Sequence, residues 1–345
     1  MKKKILISAV AIIMILSMSV MIFAGCGGPE LDDLDENFAI PTASIGANGN
    51  TLDSANVKGG IKPINKDMSS FEMLQIGMEN FYNANYATIE YNGGVFMTLA
   101  NVIKVDQVVQ STKIRDGYGD AEGNNANGAT YFADNKSHSA FAKIYEKFVI
   151  RPDSWARKAA DKKSVNFYEA GSKIKKGPLK DQRAGRLGEW YVDGSFGGAT
   201  QYDSLSKLVT ANSNNPTVLW MYDLQQEYIK DQFAPIYVSE ENSYKFAFLF
   251  DPELSTVEYR KVMLVQLETN AGMPIQGLEF KQLMLEVVMW ENGMIRAINV
   301  IEVYHMKMVL AGMGIDSDVK LTATQLFSYD PNEEGYKIND HINNF

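Results

Sequence analysis

The chain has 345 residues, with 33 basic against 42 acidic side chains and a formal charge of −9 at pH 7. A surface of that sign does not gather nucleic acid or anionic headgroups, so no nucleic-acid partner is expected. One cysteine, Cys26, excludes intrachain disulfides and multi-thiolate zinc sites.

Lys2, Lys3 and Lys4 precede an uncharged apolar run, residues 5–24 ("ILISAVAIIMILSMSVMIFA"), which ends at Gly25 and Cys26. A basic start, an apolar stretch and small residues are the layout of a secretory signal. About 20 apolar residues also suffice to span a bilayer uncleaved. The segment "FAGC" resembles the bacterial lipoprotein lipobox, roughly Leu-(Ala/Ser)-(Gly/Ala)-Cys, with Phe23 where an aliphatic residue is usual. That resemblance implies a signal peptide over 1–25, removed after the Cys26 thiol receives a diacylglycerol. Cys26 is then the lipid-attachment residue, and the protein partners the membrane through its acyl chains. An uncleaved anchor is the other reading, and both place the body on the outer face of the cytoplasmic membrane. Residues 1–25 hold three lysines and no acid, so their removal lowers the formal charge by three, to −12.

From Cys26 to residue 67 the chain is rich in Gly, Asn, Ala, Ser and Asp, as in "SIGANGNTLDSANVKGG", with no apolar periodicity. The composition predicts a flexible linker over 26–67. Its acidic run "ELDDLDE" (30–36) reads as solvated and repelled by an anionic membrane. A single folded domain is expected over 68–345, with 17 Tyr and 17 Phe available for its core.

Ser69-Ser70-Phe71-Glu72 fits a capping box, and apolar residues at 71, 74, 78, 81 and 82 predict an amphipathic helix. The period then changes to two. Residues 86–91 read as a short strand, Asn92-Gly93-Gly94 as a tight turn, and 95–115 as one long bent strand or two joined at a bulge. Residues 132–150 suit helix or strand, with strand preferred. The basic stretch 151–190 reads as surface loops around the strands "VNFYEA" and "EWYVD", with a cationic patch as the sharper alternative. Helices are expected at 203–211, 216–232 and, from the capping box Ser255-Thr256-Val257-Glu258, to near Gly272. "YKFAFLF" (244–250) and "VKLTATQLFSY" (319–329) alternate as strands do.

Two strand-like runs flank Asn292-Gly293, the pair favoured in a two-residue type I′ hairpin. Counting outward, one face carries Phe280, Gln282, Met284, Glu286, Val288 and Trp290 beside His305, Val303, Ile301, Asn299, Ala297 and Ile295. The other carries Leu283, Leu285, Val287 and Met289 beside Glu302, Val300, Ile298 and Arg296. Both are substantially apolar, so each needs a cover.

No phosphate loop, zinc-protease motif or nucleophile elbow is present. His138, His305 and His341 share no ligand spacing, and His305 reads as satisfied by Glu286, Asn299 or solvent. Asp330, Asn332, Glu334 and Gly335 match part of a calcium loop, but His341 stands where its closing Glu belongs. No catalytic residue, metal site or cofactor is therefore expected, and the chain is read as a non-enzyme. Eight methionines lie between 263 and 313, suited to a core or to an adaptable apolar surface.

The expected fold is α+β, a strongly curved antiparallel sheet or half-barrel with helices packed against it. The lipidated Cys26, the long strands at 95–115, "YKFAFLFDPE" leading into a helix, and the closing strands through "LTATQLFSY" resemble the LolA/LppX-type lipid-carrier lipoproteins. That likeness implies an apolar cavity holding acyl chains, lined by Phe280, Met284, Val288, Trp290, Ile295, Ile301 and Val303. Two functions stay open: a carrier of a lipid or other hydrophobic ligand, and a cell-envelope scaffold that binds a protein or cell-wall polymer.

Overall fold

The computed structural model describes residues 31–34, 49–100, 103–116, 127–137, 154–161, 164–170, 191–192, 226–253, 275–310 and 313–330. The expected helices at 203–211 and 255–272 and the calcium-like loop beyond Asp330 lie outside them, as do residues 1–30.

One α-helix, α1 (Ser70–Asn83), is present among the described residues. The Ser69 side chain accepts from the Glu72 amide, and the Glu72 carboxylate accepts from the Ser69 amide and hydroxyl at 2.8 Å each. The backbone hydrogen bond from Ser69 is the main reason the Glu72 carboxyl titrates below its ordinary range. That capping contribution is therefore present above the ordinary carboxylate pKa and is lost as the pH falls through the depressed one.

Everything else of regular structure among the described residues, short 3₁₀ turns aside, is antiparallel strand. The strands are β1 (Tyr86–Leu99), β2 (Ile103–Asp116), β3 (Asn127–Ser137), β4 (Ser154–Asp161), β5 (Ser164–Ala170) and β6 (Tyr191–Val192). They continue as β7 (Ile229–Gln232), β8 (Ile236–Val238), β9 (Ser243–Phe250), β10 (Ile275–Trp290), β11 (Ile295–Leu310) and β12 (Met313–Ser328). They form one sheet in the order β6-β5-β4-β3-β2-β1-β12-β11-β10-β9-β7, with β8 also on β9. Each of β10, β11 and β12 has 16 residues, or about 54 Å of strand.

This corrects the expected fold class. The sheet neither closes nor curls strongly, and the protein is β-rich rather than α+β. No half-barrel with packed helices is formed among the described residues. The expected helix over 216–232 ends, where described, in a 3₁₀ turn and strand β7. Asn92-Gly93-Gly94 is no turn, because β1 runs through it paired on both sides. The chain instead reverses after Ala100, so the long run 95–115 is the two arms of a hairpin.

Alternation along these strands gives the sheet two faces. The inner face carries Ile89, Phe246, Phe248, Phe250, Leu285, Val287, Ile298, Val300 and Phe327, each at most 1% exposed. Helix α1 sets Phe71, Leu74, Met78 and Phe81 into the same core, with Phe81 edge-on to Phe327 at 5.4 Å. The helix approaches closely at Gly77, where an added Cβ would lie 2.6 Å from Met289 Cε and 2.9 Å from Ile295 Cγ1. The polar side chains Glu302 and Gln325, in register with Leu283 and Ile298 of this face, are also fully buried.

The segment from residue 49 is part of this core and not the expected linker. Val57 and Ile64 are buried, Val57 bridges Ala84, and the Lys58 amide donates to Asn83 O at 2.8 Å. Its composition is polar, but a few apolar side chains suffice to fasten it beside the helix.

Candidate functional site

The outer face of the sheet is where the expected lining residues were placed, and the hairpin β10–β11 decides where they fall. The pairing is as counted from Gln282↔Val303 to Val288↔Ala297. Beyond those limits it shifts, because bulges interrupt the ladder between Phe280 and Gln282 and between Val288 and Met289. A single extra residue turns all that follow to the opposite face. Phe280 therefore faces inward opposite Tyr304, with ring centroids 5.4 Å apart, and Ile295 faces inward opposite Met289. These two leave the expected lining. Met284, Val288, Ile301 and Val303 stay on the outer face, all but Ile301 buried, while Trp290, at the end of β10, is buried in contact with the main core cluster.

The turn also differs from type I′. Gly293 has φ +95 while Asn292 is not left-handed, and the Gly293 amide donates to Trp290 O at 2.9 Å. This is the longer hairpin in which one glycine takes the left-handed position. The extra residue on β11 is Arg296, which lies over the Trp290 ring at 4.4 Å and donates to Glu241 Oε2 at 2.8 Å and Ser243 Oγ at 3.2 Å.

Part of the outer face is covered by the chain's own N-terminal side. Residues 31–34 cross β10 to β12. The Asp32 amide donates to Gln282 Oε1 at 3.0 Å, and Gln282 Nε2 donates back to Asp32 O. The Asp32 carboxylate is 2.6 Å from Lys320 Nζ. Leu34, with Phe233, packs on Ala247, Val288, Ala297 and Leu326. The acidic run is thus not wholly solvated. Val288, expected to meet a ligand, lies in the small cluster that Leu34 and Phe233 cover.

Beside this strap runs a polar row. Asn299 Nδ2 donates to Glu286 Oε2 at 2.9 Å, and Thr324 Oγ1 donates to Asn299 Oδ1. Further along, His305 Nδ1 is 3.0 Å from Asp318 Oδ1 and Nε2 is 3.4 Å from Asp316 Oδ1, with Lys281 Nζ 3.5 Å from Asp318. His305 is held by these two aspartates and not by Glu286 or Asn299. His138 and His341 lie outside the described residues. Among the described residues no His, Cys, Asp and Glu group has the arrangement of a metal site.

The outer face is open on the part of β1 and β12 around Asn92, Phe96 and Thr322. Phe96 is 52% exposed, beside Lys320 in the ladder, and Asn92 and Thr322 are exposed with it. Gly94, opposite Thr322, leaves a shallow step between Asn92 and Phe96. Sequence reasoning missed Phe96, because an aromatic in an alternating strand is ordinarily core. Its only signal was its even position, opposite in parity to the inward Ile89 and Leu99.

The fold and this face define an open antiparallel β-sheet protein. No family model matches the chain, and no curated protein does. Among solved structures, the outer membrane protein OprG from Pseudomonas aeruginosa aligns over 71% of this chain and 96% of its own, at 6% identity and TM-score 0.14. A likeness that low does not establish a shared fold. Among the described residues no helix is long and apolar enough to cross a membrane.

Proposed function

We propose that the chain is a lipid-anchored extracytoplasmic lipoprotein that binds a protein or cell-wall polymer on the open strip of its sheet, without catalysis. The observation that carries this reading is the division of the outer face. Over β9 to β11 and at Leu326 of β12 the chain covers itself with Leu34 and Phe233, and on the neighbouring part of β1 and β12 it presents Phe96, Asn92 and Thr322 on paired strands. An exposed aromatic among amide and hydroxyl groups, on a backbone already ordered, binds without a large entropic cost. A lipid carrier needs its apolar side chains free to line a cavity. Phe280 and Ile295 are instead packed in the core, and Val288 lies in the cluster that Leu34 and Phe233 cover.

The binding test uses the secreted chain from residue 27, incubated with purified cell wall and with detergent-extracted envelope proteins. Phe96→Ala is expected to weaken retention about tenfold, the effect of losing about 1.4 kcal/mol at one anchoring side chain. Its melting temperature should be unchanged, since half of the ring is already in water. A native mass spectrum showing a bound lipid, with retention unaffected by Phe96→Ala, would transfer the function to the carrier reading.

The anchor has its own test. Cys26→Ser is expected to move the protein from the membrane fraction to the medium. Full retention there would mean that residues 5–24 hold it as an uncleaved helix.

A further inference from the structure

We infer that the outer face of β10 to β12 is a docking site for an extended acidic segment of a partner protein, and that residues 31–34 are its removable resident, holding it in cis. The site lies beside the Phe96 strip and does not rest on that reading. A stretch of chain seated there displays the chemistry the site takes. Gln282 is buried, and both hydrogen bonds of its carboxamide go to the backbone of one residue, Asp32. Such a pair copies the edge of a strand, since it needs one N–H and one C=O, which every residue but proline supplies. It holds an extended chain without reading its side chains. In register with Gln282 across Val303 stands Lys320, whose Nζ is 2.6 Å from the Asp32 carboxylate. A charge-assisted contact of this kind selects an acid at that position. Asp33 is exposed, so the next position is unread. Leu34, with Phe233, then covers Ala247, Val288, Ala297 and Leu326, an apolar seat contributed by four adjacent strands. The site thus reads an acid and, two residues on, an apolar side chain.

The resident is lightly held. Residues 31–34 join no strand ladder, Leu31 is exposed and Leu34 is only half-buried. The segment from residue 49, by contrast, buries Val57 and Ile64 and bridges Ala84. A segment with few buried apolar contacts and no ladder opens locally at low cost, while the paired strands beneath it stay in place. Opening leaves the Gln282 carboxamide without its two partners and the apolar seat without Leu34, so the site favours being filled again. Because the resident is tethered to the fold, it competes at an effective concentration of about millimolar. A free segment of the same chemistry enters only by outcompeting it, and the strap therefore sets the threshold for binding.

Peptide binding to the full-length protein tests this, with a fluorescent peptide of residues 30–36 ("ELDDLDE") as the probe and anisotropy as the readout. Asp32→Ala with Leu34→Asp in the protein is expected to raise affinity for the probe at least about tenfold over the unaltered protein, because the tethered competitor is gone. The melting temperature should not change. Adding Lys320→Glu should abolish that binding, and a probe carrying Asp32→Lys should restore it. Methylating the Asp32 amide nitrogen of the probe should abolish binding as well, since Gln282 Oε1 then loses its donor. Equal binding by the unaltered and strap-altered proteins would overturn the inference, as would binding that survives Lys320→Glu or the methylated amide. Loss of cooperative melting on Asp32→Ala with Leu34→Asp would make the strap a part of the core rather than a resident, and would overturn it too. Phe96→Ala enters none of these measurements, so the open-strip reading stands or falls separately.

Discussion

Phe248→Ala is expected to destabilise the protein by about 4 kcal/mol, near the middle of the range for emptying a buried phenylalanine site. Phe248 has no exposed surface and stands opposite Leu285. Its ring centroid is 5.7 Å from Phe246 and 5.8 Å from Phe250, so three rings spaced two residues apart form one continuous layer. Removing the middle ring strips contacts from both neighbours, and paired strands cannot collapse to refill the space. Urea denaturation should show a lower midpoint with an unchanged slope. A loss below about 1 kcal/mol would mean that the inner face is not packed under α1 as described, since surface changes fall in that range.

Gly293→Ala should cost about 3 kcal/mol, through two effects at one position. At φ +95 a Cβ is strained by about 1–2 kcal/mol. That Cβ would also lie 2.5 Å from Lys62 O and 3.0 Å from Asn80 Nδ2. Asn80 is the clamp of this corner: its Nδ2 donates to Lys62 O at 2.9 Å and Gly293 O at 3.0 Å, and its Oδ1 accepts from the Lys62 amide at 2.9 Å. Displacing it leaves buried partners unmet, worth about 1–3 kcal/mol. The two substitutions should therefore be non-additive, with Gly293→Ala costing less in an Asn80→Ala background by the share that displacing Asn80 contributes, while the φ strain and the Lys62 O contact remain. Full additivity in thermal or urea unfolding would contradict a shared network.

How far the site could be read from sequence follows from particular residues. Asn292-Gly293 and the alternation around it were enough to pair Met284 with Ile301 and Leu285 with Val300, because a turn signal and a period of two are both local. The same alternation misplaced Phe280 and Ile295. A bulge leaves the residue types unchanged while reversing the faces, and Leu278, Phe280 and Leu283 are all apolar on either side of it. Asn92-Gly93-Gly94 read as a turn because glycines mark turns, yet β12 and β2 hold that stretch extended on both edges. The curved-barrel expectation failed for a related reason. Strand propensity is local, whereas closure depends on whether the first and last strands meet, and here β6 and β7 remain edges.

The sequence alone determined what depends on neighbours along the chain: the apolar run before Cys26, the acidic charge, the Ser69 and Glu72 cap with its helix, and the centre of the β10–β11 hairpin. Tertiary structure alone decided that Asp32 and Leu34 lie on strands some 250 residues away, that Val288 is covered, and that Phe96 is left in the open. Those outcomes depend on which distant segments meet and on single-residue shifts in register, and no local pattern of polarity encodes either.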